Sequence, residues 1–380
     1  MKKYLFFSVF VLVSAMLTGQ EIQNFRPQQV VSPEFREGRV TFRIAAPQAH
    51  QITLNGSWMG SNTAAERLTR DSTGVWSVTI TAPSPEIYTY SFNVDGVSKN
   101  DDANIFVQRD GRRFMSILLV DGPLTANYRE AKQRGNVDHV WYDSPAIGIN
   151  RRMFVYTPYG YADSNQKYPV LYLLHGAGGD EDAWSNMGRA CQILDNLIEQ
   201  GKAKPMLVVM PNGNPGQQAA QTLLIPETPI DRSNPAFANA YPHSIVKDIV
   251  PYIEKHYRVI AEPDGRALAG LSMGGGHTVT TTTLYPGFFS YIVPLSAAVM
   301  QLAQRDQADV DAEFQAVKKA GYKLYWLACG TDDFIWDSSK NLDEILTRNG
   351  MEHTFRITDG GHTWANWRIY LNEFATLLFK

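Results

Sequence analysis

Arg266-Ala-Leu-Ala-Gly-Leu-Ser-Met-Gly-Gly275 is the stretch on which the fold turns. Its first four residues form a short apolar run that reads as a buried strand, and the residues from Gly275 to Leu284 suit a helix. Between them lies Gly270-Leu-Ser272-Met-Gly274, a G-x-S-x-G sequence. Strand, sharp turn and helix in that order place a serine on a strained corner. The flanking glycines are needed because side chains there would strike neighbouring backbone. The helix N-terminus behind the serine also favours developing negative charge. A Gly-Ser helix start without chemistry has the same composition, but the strand before it and the helix after it favour the functional reading.

Outward from that corner, strand-like runs alternate with helical segments. Met153-Phe-Val-Tyr156, Val170-Leu-Tyr-Leu-Leu174, Met206-Leu-Val-Val-Met210 and Lys323-Leu-Tyr-Trp-Leu-Ala328 are strand candidates. Within 241–257, Ile245, Ile249 and Ile253 fall on one helical face. This βα alternation predicts a doubly wound, mostly parallel sheet covered by helices on both faces over 136–380. Residues 212–239, rich in Pro, Asn, Gln and Ala, read as a long irregular insertion of the kind that covers a substrate.

Upstream the period changes to two. Val40-Thr-Phe-Arg-Ile44, Gln51-Ile-Thr-Leu54, Val75-Trp-Ser-Val-Thr-Ile80 and Tyr88-Thr-Tyr-Ser-Phe-Asn-Val94 are short antiparallel strand candidates separated by turn residues. They predict an immunoglobulin-like β-sandwich over 25–121, with 122–135 as a polar linker. Tyr88, Tyr90, Phe92 and Val94 share one strand face and read as core, whereas Trp58 sits in a loop where it could stack on a sugar or pack at an interface. At the N-terminus, Lys2 and Lys3 precede an apolar run from Tyr4 to Leu17, a signal-peptide pattern over 1–19 that predicts a secreted or periplasmic protein. The run is short for a membrane span, and no later apolar stretch approaches one, so no membrane insertion is expected.

The chain has 380 residues, with 35 Lys+Arg against 38 Asp+Glu, a balance that excludes a strongly basic nucleic-acid binder. Hydrophobic residues at 44% and charged residues at 19% exclude a mainly disordered chain. The 2 cysteines, Cys191 and Cys329, are too few for a disulfide scaffold, and two free buried thiols are expected rather than a pair. No H-E-x-x-H, paired C-x-x-C or P-loop occurs, so no metal or cofactor is expected.

A serine hydroxyl needs a base, and the base needs a carboxylate to orient it. His362, in the glycine-rich turn Asp359-Gly-Gly-His-Thr-Trp364, is the candidate base. His353 sits in a strand pattern and His277 lies too close to Ser272. The carboxylate should follow the penultimate strand, where Cys329-Gly-Thr-Asp-Asp333 offers both Asp332 and Asp333. An oxyanion needs two aimed N–H groups. That of Met273 is one, and Leu174-His-Gly-Ala177-Gly-Gly179 offers Ala177 for the other. His175 reads as shaping this turn, and Asp180-Glu-Asp182 as capping the next helix.

Asn150-Arg-Arg-Met-Phe-Val-Tyr-Thr-Pro158, Tyr168-Pro-Val-Leu-Tyr-Leu-Leu-His-Gly176, Arg266 to Gly275 and Gly360-Gly-His-Thr-Trp364 together resemble the esterase D-like hydrolases of carbohydrate esterase family 1. Gly74-Val-Trp76 and Tyr88-x-Tyr-x-Phe-x-Val-Asp-Gly96 resemble the early-set sandwiches of carbohydrate-binding module family 48. The resemblance implies an α/β-hydrolase fold and a triad of Ser272, Asp333 and His362, with Ala177 and Met273 as oxyanion donors. It also implies an exported feruloyl esterase acting on plant cell-wall polysaccharide or its feruloylated oligosaccharides. Acetyl xylan esterases and siderophore trilactone esterases share the fold, and a non-catalytic glycan-binding protein is the alternative of a different class. An aromatic slot for a feruloyl group would draw on Trp184, Phe334, Trp336 and Trp364, which flank the motif loops.

Overall fold

The computed structural model describes residues 30–60, 64–111, 113–214 and 239–380. The leader read at 1–19 and positions 215–238 of the insertion lie outside the described residues. Two compact units are formed. One takes the described residues within 1–55, 61–82 and 91–105, and the other those within 56–60, 83–90 and 106–380. These bounds differ from the division drawn on the sequence. Residues 106–121 alternate like the sandwich strands, but alternation identifies a strand and not the core it serves. The polar stretch 122–135 also belongs to the second unit. It contains a 3-10 helix, Pro123–Tyr128, whose Thr125 and Tyr128 are buried.

The first unit is β-rich. Arg39–Ala45 and Val75–Thr81 pair antiparallel, with Phe42 opposite Val78 and Ile44 opposite Trp76. Glu34–Arg36 and Thr69–Arg70 complete a four-stranded sheet. Val40, Phe42 and Ile44 point inward together with Ile52, Leu54 and Phe92, which is the alternation expected of strands covered on one face.

In the second unit, β1 (Val107–Asp110) and β2 (Arg113–Leu119) form an antiparallel hairpin. An eight-stranded sheet follows, from β3 (Asn136–Ser144), β4 (Ile149–Thr157), β5 (Val170–Leu174), β6 (Leu207–Pro211), β7 (Arg266–Leu271), β8 (Tyr291–Leu295), β9 (Leu324–Gly330) and β10 (Thr354–Thr358). Their order is β3-β4-β6-β5-β7-β8-β9-β10. The pairs β3–β4 and β4–β6 are antiparallel and the rest parallel, so the sheet is mixed. Both faces are covered, as the apolar runs require. Leu171, Leu173, Ala267 and Ala269 pack under α1 (Ala190–Glu199) and a C-terminal helix, Trp364–Phe374, through Ile193, Leu194, Trp367, Tyr370 and Phe374. Tyr172, Leu174 and Leu268 face the other way, against Tyr241, Ile245, Ile249 and Ile253, and the last three are fully buried, as their spacing predicts. The central helix α2 (Met273–Leu284) leaves directly from β7. Among the described residues, no helix is long and apolar enough to cross a membrane.

Trp58 belongs to the second unit, where its ring meets Tyr88 edge-on at 5.8 Å. Both cysteines are free, with Cys329 buried and Cys191 half-buried. Burial pushes their thiols up, to about 11 for Cys329 and about 12 for Cys191.

Candidate active site

The turn between β7 and α2 is strained where the sequence placed the serine. Ser272 has φ 54° and ψ −116°, a backbone conformation that L side chains rarely adopt. It is held there by its own N–H to the Leu295 carbonyl at 2.9 Å, and its carbonyl accepts from Ala298 N–H at 3.1 Å. The glycines are required by space: a Cβ on Gly270 would lie 2.3 Å from the Gly274 carbonyl oxygen, and one on Gly274 2.6 Å from that of His175.

His362 and Asp333 reach this corner from the ends of the neighbouring strands. The Ser272 hydroxyl is 2.9 Å from His362 Nε2, and His362 Nδ1 is 2.9 Å from each Asp333 oxygen. Of the two adjacent acids it is Asp333 that meets His362, while Asp332 is exposed and its N–H donates to the Gly360 carbonyl. The Asp333 side chain is fully buried, which by itself would raise its pKa. Hydrogen bonds from His362, the Ile335 N–H and the Ser296 hydroxyl outweigh that burial and hold the carboxyl below its usual range. The His362 ring is bracketed by Phe334, with centroids 4.4 Å apart, and by Trp367 edge-on at 4.9 Å.

A cavity of about 230 Å³ opens at Ser272 and His362. Its wall includes Gly176 and Ala177 from the turn after β5, and Ala183, Met187, Leu271, Trp364, Trp367 and Asp110. Met273 opens α2, whose first-turn N–H groups have no intrahelical acceptor. His175 shapes the turn as its sequence position predicts. It is fully buried, burial lowers its pKa, and its Nε2 accepts from the Gly213 N–H at 2.7 Å. That leaves the ring proton on Nδ1, which donates to the Gly176 carbonyl at 2.7 Å.

The aromatic candidates separate. Trp364 lines the cavity, and Phe334 is exposed above His362. Trp184 is not a slot residue: it is 1% exposed, its Nε1 donates to the Leu174 carbonyl at 2.9 Å, and Trp364 meets it edge-on. Trp336 stacks on Phe355 at 5.6 Å and is also absent from the wall. Proximity in sequence misled here, because a residue beside a motif loop turns inward when the next helix needs an anchor. The acidic run after the turn does more than its reading assigns. Asp182 makes no cap bond to the helix Ala183–Asn186, but Asp180 Oδ1 accepts from the Asp182 N–H at 3.0 Å where the chain enters it. Asp180 also accepts from Arg109 Nη2 at 2.7 Å, and Glu181 from Arg152 Nε at 2.7 Å. Buried arginines need such counter-charges. Asp110 and Met187 were missed. An Asp-Gly pair marks a hairpin tip, but nothing in the sequence says which site that tip will face.

Residues 144–376 match the Esterase family model. The chain is 30% identical over 352 residues to an endo-1,4-beta-xylanase/feruloyl esterase of Xylanibacter ruminicola, an alignment covering 90% of this chain and 45% of that protein. It therefore spans less than half the length of that relative. Among solved structures, a ferulic acid esterase of Anaeromyces mucronatus is similar at TM-score 0.55 and 27% identity, covering 66% of this chain and 93% of that one. An enterobactin esterase of Shigella flexneri has the same fold at TM-score 0.64 and 16% identity, covering 90% of this chain and 95% of that one.

Proposed function

The chain belongs to the Esterase family, and on that premise we propose that it is a serine carboxylic-ester hydrolase of feruloyl esterase type, releasing hydroxycinnamic acid from arabinoxylan through an acyl-enzyme. The observation that carries this reading is the unbroken relay from Ser272 through His362 to Asp333, every link at 2.9 Å, at the mouth of a cavity. His362 Nε2 takes the Ser272 proton as the hydroxyl attacks the ester carbonyl. The oxyanion is held by the N–H groups of Ala177 and Met273. His362 then returns the proton to the leaving sugar alcohol, and the acyl group stays on Ser272. Water, deprotonated by the same histidine, releases the acid. The buried charge of Asp333 stabilises the imidazolium in both halves. Each step draws only on this chain and water.

The choice of acyl group is supported by the xylanase/feruloyl esterase relative and by the ferulic acid esterase structure. Plant cell-wall arabinoxylan and its feruloylated oligosaccharides follow as substrates. The first unit, with its antiparallel strands, is the immunoglobulin-like sandwich of family 48 type in this reading, and the leader at 1–19 exports the protein. The test is hydrolysis of methyl ferulate, acetylated xylan and a catechol trilactone by purified protein, with Ser272→Ala as control. Ferulate release lost in the variant is expected. Preference for acetylated xylan or for the trilactone would overturn the acyl assignment, and turnover surviving in Ser272→Ala would overturn the mechanism.

A further inference from the structure

The cavity wall carries one carboxylate besides the relay. Among the described residues lining it, Asp110 is the only acid, and it shares the wall with Ala183, Met187, Leu271, Trp364 and Trp367 as well as with Ser272 and His362. Asp110 is exposed and sits at the end of β1, opposite Arg113 across the hairpin. Among the described residues no cation forms an ion pair with it.

Its position is fixed from both sides. The preceding residue, Arg109, points the other way and is buried. Arg109 Nη2 donates to Asp180 at 2.7 Å and Asp182 at 3.3 Å, its Nη1 donates to the Gly111 carbonyl at 2.9 Å, and its backbone N–H donates to Asn186 Oδ1 at 3.3 Å. The following residue, Gly111, has φ +56° and lies so close to the turn after β5 that a Cβ would be 3.4 Å from the Gly178 carbonyl. The hairpin tip is thus tied to the same turn that carries Ala177. A carboxylate accepts hydrogen bonds and repels anions, and at an exposed position that repulsion reaches a group entering the cavity while remaining open to screening by salt.

We propose that Asp110 is a specificity-determining residue that makes this cavity an anion filter. It admits esters of uncharged acids, rejects esters that carry a second carboxylate, and speeds departure of the acid the reaction itself produces. The inference rests on the esterase reading of the same pocket but not on ferulate being the acyl group. Hydrolysis begins with a neutral ester and ends with an anion, so one fixed negative charge distinguishes substrate from product without touching the reacting atoms.

The test compares 4-nitrophenyl butyrate with 4-nitrophenyl hemisuccinate, which match in length and differ by one charge. The wild type is expected to prefer the butyrate, and Asp110→Asn to shrink the kcat/KM ratio about tenfold, while Asp110→Glu keeps it. Raising the salt concentration should shrink the ratio in the wild type and leave it flat in Asp110→Asn. The salt series on unaltered protein reads the same charge even if a variant folds poorly. Inhibition by added ferulate should tighten in Asp110→Asn. A ratio unmoved within about twofold by both the substitution and salt would overturn the filter. Failure to cleave methyl ferulate, with the nitrophenyl ratio behaving as expected, would overturn only the acyl assignment. Failure to cleave methyl ferulate and the nitrophenyl esters alike would overturn the esterase reading and the filter with it.

Discussion

Replacing Asp333 by Asn keeps the shape of the side chain and removes its charge. In the folded protein both carboxylate oxygens lie 2.9 Å from His362 Nδ1, with the acid side chain fully buried and the histidine 18% exposed. At an effective dielectric constant of about 20, unit charges at that separation are worth roughly 6 kcal/mol. This is stabilisation of the imidazolium that exists only once Ser272 has given up its proton, so it acts on the barrier. It corresponds to about four factors of ten in kcat. The amide adds a second fault, since its NH₂ can donate to Nδ1 and leave the ring proton on Nε2, facing the hydroxyl it should deprotonate. Loss of about 10⁴-fold is the size seen when this tautomer error is introduced into serine-protease triads. Because Asp333 does not line the cavity, KM should stay within about threefold. Steady-state hydrolysis of methyl ferulate by Asp333→Asn and Asp332→Asn, side by side, reads this out. Asp332 is exposed, and its substitution should change kcat by less than about twofold. A loss below tenfold in Asp333→Asn, or an equal loss in Asp332→Asn, would refute the assignment of the acid.

Four further outcomes follow from the same structure. Gly274→Ala should abolish activity or folding, because its Cβ would meet carbonyl oxygens of His175 at 2.6 Å and Leu174 at 2.7 Å; a soluble variant with wild-type turnover would contradict the elbow geometry. Trp184→Phe should lower stability by about 2 kcal/mol, measured by denaturant unfolding, through a lost buried bond to Leu174 and a small void, with KM unchanged. Trp364→Ala, in contrast, should raise KM. Acid stability should also respond to Asp333. Its folded pKa lies below the ordinary value, so its contribution is complete above the usual carboxylate range and is lost as pH falls through the lowered value. Unfolding free energies should therefore fall less between about pH 5 and pH 3 in Asp333→Asn than in the wild type.

Much of the second unit is legible in the sequence because its signals are steric and periodic. Ser272 needs glycines on both sides, and Ile245, Ile249 and Ile253 repeat at helical spacing. The triad is legible for a related reason: His362 and Asp333 sit in loops at strand ends, where a parallel sheet gathers residues far apart in the chain. The pocket wall is less so. Asp110 enters through a hairpin that sequence assigns to the preceding sandwich, and long-range contacts, the Arg109 bonds to Asp180, Asp182 and Asn186 among them, bring it to the cavity at Ser272. Trp184 and Trp336 have the right chemistry for a slot, but their direction is set by Leu174 and Phe355, which no local pattern reveals.

The central claim is that Ser272 carries the acyl group during ester hydrolysis. Mixing the protein with methyl ferulate, quenching in acid within the first turnover and mapping peptides by mass spectrometry tests it directly. The account predicts a mass increase of one feruloyl group on the peptide containing Ser272, absent in Ser272→Ala. Ferulate release without that adduct, or with the group on another residue, would contradict it.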